Sequence, residues 1–396
     1  MEPLTLSEGS RHRGPLSDLA VELAAASSGF RRSLPPGIVG PLAELVRAMN
    51  CYYSNLIEGH KTHPIDIERA LKNKYSADPE KRNLQLEAKA HVAVQRWIDD
   101  GGARGRASTL GAICEIHRRF SELLPTELLV LTDPETGRTV HVVGGELRRD
   151  DVKVGRHLAI SPGAVPRFMR RFEQVYDGLG RSETILAAGA THHRLLWIHP
   201  FEDGNGRVAR LMSHASLLEA LDTGSLWSVA RGLARSVAEY KEHLMNCDSP
   251  RRNDLDGRGA LSEEALAEFT GFFLRTCLDQ VRFMEQLMEP NRLRGRILLW
   301  AEEEIRARML PSKSGQVLEA ALFRGELLRG DVAALLGASP RAARRVVSAL
   351  LDRGVLSSES TRAPLFIAFP AVLAARWVPG LFPEQSARYE GNAQSS

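Results

Sequence analysis

The sequence predicts a mostly α-helical protein, with a small β-hairpin in its middle and a three-helix-plus-hairpin domain at its C-terminal end. Three observations carry that expectation. Apolar residues recur at three- and four-residue spacing over most of the first 290 positions, the period of helices buried along one face. A β-branched, turn-punctuated stretch interrupts the spacing between Leu128 and Ile160. Beyond Asn291, short helical segments give way to two strand-like runs around a polar turn.

Residues 1–15 read as a flexible lead. Helical spacing starts at Leu16 and runs through Leu42, Leu45, Val46 and Met49 to Leu56 and Ile57, with Gly59 as the stop. Ile65 to Leu71, Leu84 to Ile98 and Leu110 to Leu124 are the next helices. Leu128 to Val143, broken by Asp133-Pro134-Glu135-Thr136-Gly137, predicts a hairpin or extended excursion. Val152 to Ile160 predicts a second extended stretch, closed by Ser161-Pro162. Helices resume at Val165 to Tyr176, Ser182 to Ile198, a segment ending at Leu221, Ser225 to Met245 and Glu263 to Met288. Cys247 to Gly259 reads as a loop.

The C-terminal part has a charged amphipathic helix, Asn291 to Met309, and then segments at Leu318–Phe323, Gly330–Leu336 and Ser339–Arg353. Val355 to Ala368 forms two strands around Ser357–Arg362. Three helices and a hairpin, with Gly337-Ala338 as a tight turn between the last two helices, make a winged helix-turn-helix pattern. The tail from Pro383 reads as disordered.

Composition bounds the function. The chain has 396 residues, 43% hydrophobic and 26% charged, an ordinary globular balance long enough for two or three domains. Its 52 basic and 49 acidic residues leave a net charge of +3. That near balance argues against wholesale nucleic-acid coating and leaves a local basic face open. Cys51, Cys114, Cys247 and Cys277 lie far apart, so free thiols are expected rather than a zinc site or disulfides. Met1 to Gly14 lacks the apolar core of a signal peptide, and no apolar run of about 18 residues is present. No membrane partner and a cytoplasmic location are the default expectations.

One stretch carries chemistry: His199-Pro200-Phe201-Glu202-Asp203-Gly204-Asn205-Gly206-Arg207-Val208-Ala209-Arg210. Lying between two expected helices, its glycines feed a helix N-terminus, whose free N–H groups and positive dipole end suit a phosphate. The glycines let the backbone approach a ligand closely. Arg207 and Arg210, three apart, share a helix face and can fork onto phosphate oxygens. Asp203 is a hard oxygen donor where a magnesium ion bridging phosphates would lie. His199 is the group in this stretch able to take a proton near neutral pH. Such a set points to phosphoryl or nucleotidyl transfer.

The stretch resembles the signature of the Fic family: His, any residue, Phe, any residue, Asp or Glu, Gly, Asn, Gly, Arg, two free positions, Arg. The apolar lead-in Leu195-Leu196-Trp197-Ile198 is similar too, and the looser likeness runs from about residue 40 to about 280. The resemblance implies a Fic-type helical fold with a hairpin flap, and an enzyme moving AMP from ATP to a Ser, Thr or Tyr hydroxyl of a protein. It makes His199 the general base and Asp203 the magnesium ligand. Gly204, Asn205 and Gly206 become the anion loop, Arg207 the β-phosphate contact and Arg210 the γ-phosphate contact. The flap, which aligns the target by strand addition, is placed at Lys153, Val154, Gly155 and Arg156. Every position of the signature is intact, so phosphorylation by the Doc branch is not indicated.

Ser54-Asn55-Leu56-Ile57-Glu58-Gly59 resembles the family's inhibitory motif, Ser or Thr, three residues, Glu, then Gly or Asn. Glu58 ends a helix, where the dipole disfavours a negative charge by roughly 0.3–1 kcal/mol, so an outside cation is expected. The resemblance makes that cation Arg210, with ATP forced into an unproductive pose.

The expected domains are 1–108, a helical region with the inhibitory helix at about 40–59; 109–288, catalytic; 290–375, winged helix; and 376–396, tail. Ser339 and Pro340 start a helix carrying Arg341, Arg344 and Arg345 on one face, which makes DNA a candidate partner of residues 290–375. A protein-docking or dimer-forming module is the competing reading, and a homodimer stays open. Further partners implied by the resemblance are a protein target and the chain itself, through self-modification. Two alternatives to the transferase remain at this stage: a DNA-binding regulator with a nucleotide-sensing Fic domain, and an enzyme removing AMP with Glu58 orienting water.

Overall fold

A computed structural model describes residues 1–132, 137 and 139–383. The chain divides into two compact units, Met1–Gln286 and Leu287 onward. Among the described residues no helix is long and apolar enough to cross a membrane.

In the first unit the expected helical run from Leu16 to Ile57 is two helices, α1 (Arg13–Ser33) and α2 (Pro36–Ile57). Leu34 and Pro35 are extended, with ψ of 138° and 139°, because residues before proline are pushed out of the helical region. Then follow α3 (Pro64–Leu71), α4 (Pro79–Asp99) and α5 (Leu110–Ser121). Strands β1 (Val130–Thr132) and β2 (Thr139–His141) pair antiparallel. Of the turn expected between them, residues 133–136 lie outside the described residues. The second extended stretch is a hairpin of β3 (Lys153–Val154) and β4 (His157–Leu158).

Helix α6 (Val165–Tyr176) has the expected bounds. The expected helices Ser182–Ile198 and Ser225–Met245 are each broken once: α7 (Arg181–Leu186) and α8 (Ala188–Ile198) part at Ala187, and α10 (Val229–Arg235) and α11 (Val237–Cys247) part at Ser236. Between α8 and α10 lies α9 (Asn205–Leu221), and α12 (Glu263–Leu287) closes the unit. The main core gathers Ile113, Ile116 and Phe120 of α5, Met169 and Phe172 of α6, Leu195 and Ile198 of α8, and Val208, Leu211 and Met212 of α9. Phe201 is fully buried in it, an anchor contributing about 2 kcal/mol that fixes the α8–α9 connection to the core.

The residues taken as a flexible lead are held in place. Leu4 and Leu6 are buried, Tyr176 donates to the Leu4 carbonyl, and Arg194 gives two hydrogen bonds to the Pro3 carbonyl at 3.0 and 2.8 Å. Three of the four cysteines are buried, Cys114 is intermediate, and all are free.

The second unit contains α13 (Pro290–Arg306), α14 (Ser314–Arg324), α15 (Val332–Leu336) and α16 (Pro340–Asp352). A hairpin of β5 (Leu356–Ser357) and β6 (Phe366–Ile367) follows, and a bridge pairs Leu327 with Leu365. Gly337 turns α15 into α16 with φ +52°, and the Ser339 hydroxyl caps α16 by accepting from the Ala342 N–H at 3.3 Å. The packed chain runs past residue 375, where the domain was expected to end. In α17 (Ala374–Trp377), Trp377 is 1% exposed and meets Trp300 edge-on at 5.2 Å, and Leu381 is buried. Residues 384–396, most of the expected tail, lie outside the described residues.

Candidate active site

Helix α8 delivers His199 and α9 begins six residues later. His199 is the C-cap of α8 in left-handed backbone, φ 50° and ψ 65°. For a residue with a Cβ this costs on the order of 1–2 kcal/mol. A compensating cation is at hand. Arg148, 3% exposed, donates from Nε to the His199 carbonyl at 2.7 Å and from Nη1 to the Asp150 carbonyl at 2.8 Å. Its Nη2 reaches the carbonyls of Ile160 and Ile198, so one guanidinium caps α8 and gathers the base of the β3–β4 hairpin.

The His199 ring has a defined tautomer. Nδ1 lies 3.3 Å from the Leu196 carbonyl, which can only accept, so the proton is on Nδ1 and the Nε2 lone pair is free. Burial above all, then the neighbouring Arg148 and His157, pulls its pKa from 6.5 to about 4, so the ring is neutral at physiological pH.

The loop is stapled from inside. Asn205 accepts from the Phe201 N–H at 3.0 Å through Oδ1 and donates to the Phe201 carbonyl at 2.8 Å through Nδ2. Its side chain is therefore spent on the loop, and Asn205 can serve an anion through its backbone N–H alone. Gly204 is the N-cap of α9 with φ +77°, leaving the N–H groups of Asn205, Gly206 and Arg207 without partners inside the helix. Asp203 is exposed beside this terminus.

A carboxylate of the chain itself lies beside this terminus. Helix α2 ends in a Schellman turn: the Gly59 N–H meets the Leu56 carbonyl at 3.1 Å, the His60 N–H meets the Asn55 carbonyl at 2.9 Å, and Gly59 has φ +88°. That turn presents Glu58 to the start of α9. A Cβ on Gly206 would stand 2.4 Å from Glu58 Oε1, so glycine is what lets the carboxylate lie against the loop.

Arg210, 3% exposed, donates from Nη2 to Glu58 and to the Ser54 carbonyl (3.2 Å), and from Nε to the Ser54 hydroxyl (2.9 Å). Burial pushes the Glu58 carboxyl up, but Arg210 first, then Arg207 and His60, outweigh it and hold it below its ordinary value. With its side chain 33% exposed, Glu58 keeps one edge in water.

Arg207 is the surprise of the set. It was expected as a phosphate clamp, and it is 7% exposed with Nη2 3.2 Å from Glu87 and 3.1 Å from His60 Nδ1. Its Nε is buried without a hydrogen-bond partner among the described residues. His60 and Glu87 also bond each other at 2.7 Å, and that bond, first among several influences, raises the His60 pKa. The sequence reading missed both residues.

It also missed His117 of α5. This ring stacks on Phe201 at 3.9 Å and 6°, accepts from the Gly145 N–H at 2.9 Å, and bonds the Asp203 backbone. Burial pulls its pKa to about 4. The 113, 116/117, 120 spacing marked His117 as core-facing, which is the signal that could have found it.

Lys153, Val154, Gly155 and Arg156, the expected flap, form the exposed end of the β3–β4 hairpin. Gly155 has φ +60° and Arg156 does not share the positive φ, the pattern of a two-residue II′ turn. His157 Nε2 bonds the Trp197 carbonyl at 2.9 Å, fixing this hairpin to the last turn of α8.

A helix N-terminus with close-approach glycines, two buried arginines and a neutral imidazole thus come together in a helical fold. Residues 107–217 match the family model described as Fic/DOC family, and the chain carries a Fic/DOC domain. Among curated proteins it is 30% identical over 171 residues to "Protein adenylyltransferase Fic" of Drosophila virilis and 29% identical to that of Drosophila melanogaster. Those matches cover 43% of this chain and span about a third (32%) of the length of those relatives. Among solved structures it is similar to a Fic family protein from Desulfovibrio desulfuricans G20, with TM-score 0.54 and 17% identity over 92% of this chain and 98% of that one. A Fic domain containing signaling protein from Bacteroides thetaiotaomicron VPI-5482 gives TM-score 0.50 and 19% identity, over 68% of this chain and 96% of that one. At these identities the two structures speak for the fold.

Proposed function

We propose that the chain is a protein adenylyltransferase, moving AMP from ATP to a Ser, Thr or Tyr hydroxyl of a protein and held in check by Glu58. The observation that carries this reading is the Glu58 carboxylate lying beside Gly206 in the first turn of α9 and paired with Arg210. To reach Arg210, a nucleotide phosphate would have to displace that acid.

In this account the hydroxyl of the target approaches His199 Nε2, which takes its proton as the oxygen attacks the α-phosphorus. The α–β phosphoanhydride bond breaks and pyrophosphate leaves. The N–H groups of Asn205, Gly206 and Arg207 stabilise charge on the phosphates, and Arg210 anchors the far end of the triphosphate. Among the described residues no cluster of three or more His, Cys, Asp or Glu could hold a metal. One exposed carboxylate completed by substrate phosphates and waters is the usual way magnesium is bound, and Asp203 fits it. A magnesium ion there would neutralise phosphate charge. The exposed hairpin end, Lys153 to Arg156, is the surface offered to the target chain.

The His199 environment sets a pH dependence. Catalysis requires the neutral ring, and a pKa lowered to about 4 keeps the ring neutral down through pH 5. In a Glu58→Gly protein, kcat/KM for AMP transfer should hold between pH 7 and 5 and fall only near pH 4. Half-loss at about 6.5, the unperturbed value, would contradict the buried-base assignment.

For the second unit we propose a winged helix domain that binds DNA, because Arg341, Arg344 and Arg345 of α16 are all exposed. Retention of the full chain on duplex DNA should weaken with salt. Replacing the three arginines by alanine should flatten the log–log salt slope by about 2–3. An unchanged slope would assign α16 to a protein partner.

A further inference from the structure

Two side chains outside the signature hold the signature in shape. His117 touches three separate parts of the site: its face lies on Phe201, its Nδ1 accepts from the Gly145 N–H at 2.9 Å, and its edge is 3.6 Å from where a Cβ of Gly204 would be. Because Nδ1 accepts, the ring proton is on Nε2, and it is directed to the backbone of Asp203.

Arg148, three residues beyond Gly145, does the corresponding work at the other end of the loop. Its guanidinium binds the carbonyls of Ile198 and His199, and its own N–H donates to the Pro200 carbonyl at 2.8 Å. The connecting strip lies tight on α5. A Cβ on Gly145, whose φ is +82°, would stand 3.0 Å from the Cys114 carbonyl, and one on Gly144 3.1 Å from Ser121 Cβ, closer than side chains ordinarily pack.

We propose that His117 and Arg148 are positioning residues, a brace through the Gly144–Arg148 strip that sets where Asp203 and His199 stand relative to each other. Arg148 also binds the Asp150 and Ile160 carbonyls at the two ends of the β3–β4 hairpin, so the brace ties the target-facing hairpin to the imidazole. The catalytic side of this inference rests on the transferase reading, and the structural side does not.

The test uses the full chain carrying Glu58→Gly, with His117→Phe, His117→Gln or Arg148→Met added. Phenylalanine keeps the ring against Phe201 and removes both polar links, while glutamine can restore a donor near the position of Nε2. Amide hydrogen exchange without nucleotide is read at His199, Phe201 and Val208, with α12 as the internal reference. The loop amides should exchange at least about tenfold faster in His117→Phe and Arg148→Met while α12 is unchanged, and His117→Gln should recover part of the protection.

In transfer assays His117→Phe should raise the magnesium concentration for half-maximal rate by about tenfold and leave the KM for ATP nearly unchanged. Arg148→Met should lower kcat with little change in either. Unchanged loop exchange would overturn the proposal. So would acceleration shared equally by α12, which would make these side chains supports of the whole fold. Should the Glu58→Gly parent transfer no AMP while the loop amides respond as stated, the brace stands and the transferase reading falls.

Discussion

Glu58→Gly should raise the rate of AMP transfer roughly ten- to hundredfold over the unmodified chain. The contact that is lost sets this size. Glu58 and Arg210 share a charge-assisted hydrogen bond with one edge in water, and such a bond contributes about 1.5–3 kcal/mol, or about one to two decades in an equilibrium. Arg210 should keep its place when Glu58 goes, because Ser54 holds it through both its hydroxyl and its carbonyl. Arg210→Ala also breaks the pair, yet it removes the anchor for the far phosphate. Transfer in that variant, with or without Glu58, should stay at or below the level of the unmodified chain. Initial rates for the two variants and the double variant check this, and a Glu58→Gly rate equal to the unmodified rate would remove the brake from the account.

His199→Ala in the Glu58→Gly background should lower kcat by about 10²–10⁴, the usual contribution of a placed general base. Nucleotide affinity should hold within a few-fold, because the imidazole is assigned to the hydroxyl and not to the phosphates. Two structural facts support a kinetic rather than a structural defect. Among the described residues the His199 ring makes one hydrogen bond, to the Leu196 carbonyl at 3.3 Å, and the backbone at 199 is held from outside by Arg148. Alanine keeps a Cβ in the same left-handed backbone, so the loop is not asked to change conformation. Isothermal titration with ATP beside the rate measurement separates the outcomes. Loss of binding in step with loss of rate would assign His199 to the cradle instead.

What could be read from the sequence was whatever sits on contiguous residues. The end of α2 was legible because Gly59 is the residue type that a left-handed stop requires, and the start of α9 because Gly204 and Gly206 flank one Asn. The spacing of Arg207 and Arg210 placed them on one face. It could not say that this face is buried, because the cover comes from α2 and α4, more than a hundred residues away in the chain. Glu87 and His60, which hold Arg207, are 27 residues apart and belong to no recognisable pattern. The pairing of Glu58 with Arg210 was expected from family resemblance rather than from any feature of spacing.

Long-range hydrogen bonds explain the other misses. Arg148 stands in a polar stretch where a surface arginine is the ordinary reading, and the carbonyls of Ile160, Ile198 and His199, with that of nearby Asp150, make it a buried cap. The breaks at Ala187 and Ser236 carry neither glycine nor proline, so nothing local announces them. The Leu34–Pro35 break was announced by its prolines and passed over. The N-terminal lead was misjudged for a related reason. Leu4 and Leu6 are too few to show a period, and what fixes them is the carbonyls of Pro3 and Leu4 reaching Arg194 and Tyr176.

The most direct test of the central claim is to incubate the Glu58→Gly protein with ATP labelled at the α-phosphate and, separately, at the γ-phosphate. With triphosphate oxygens on the N-terminus of α9 and His199 Nε2 taking the proton of a hydroxyl that attacks the α-phosphorus, the α label must appear covalently on protein and the γ label must be released with pyrophosphate. Protein carrying the γ label, or neither label, would contradict the account.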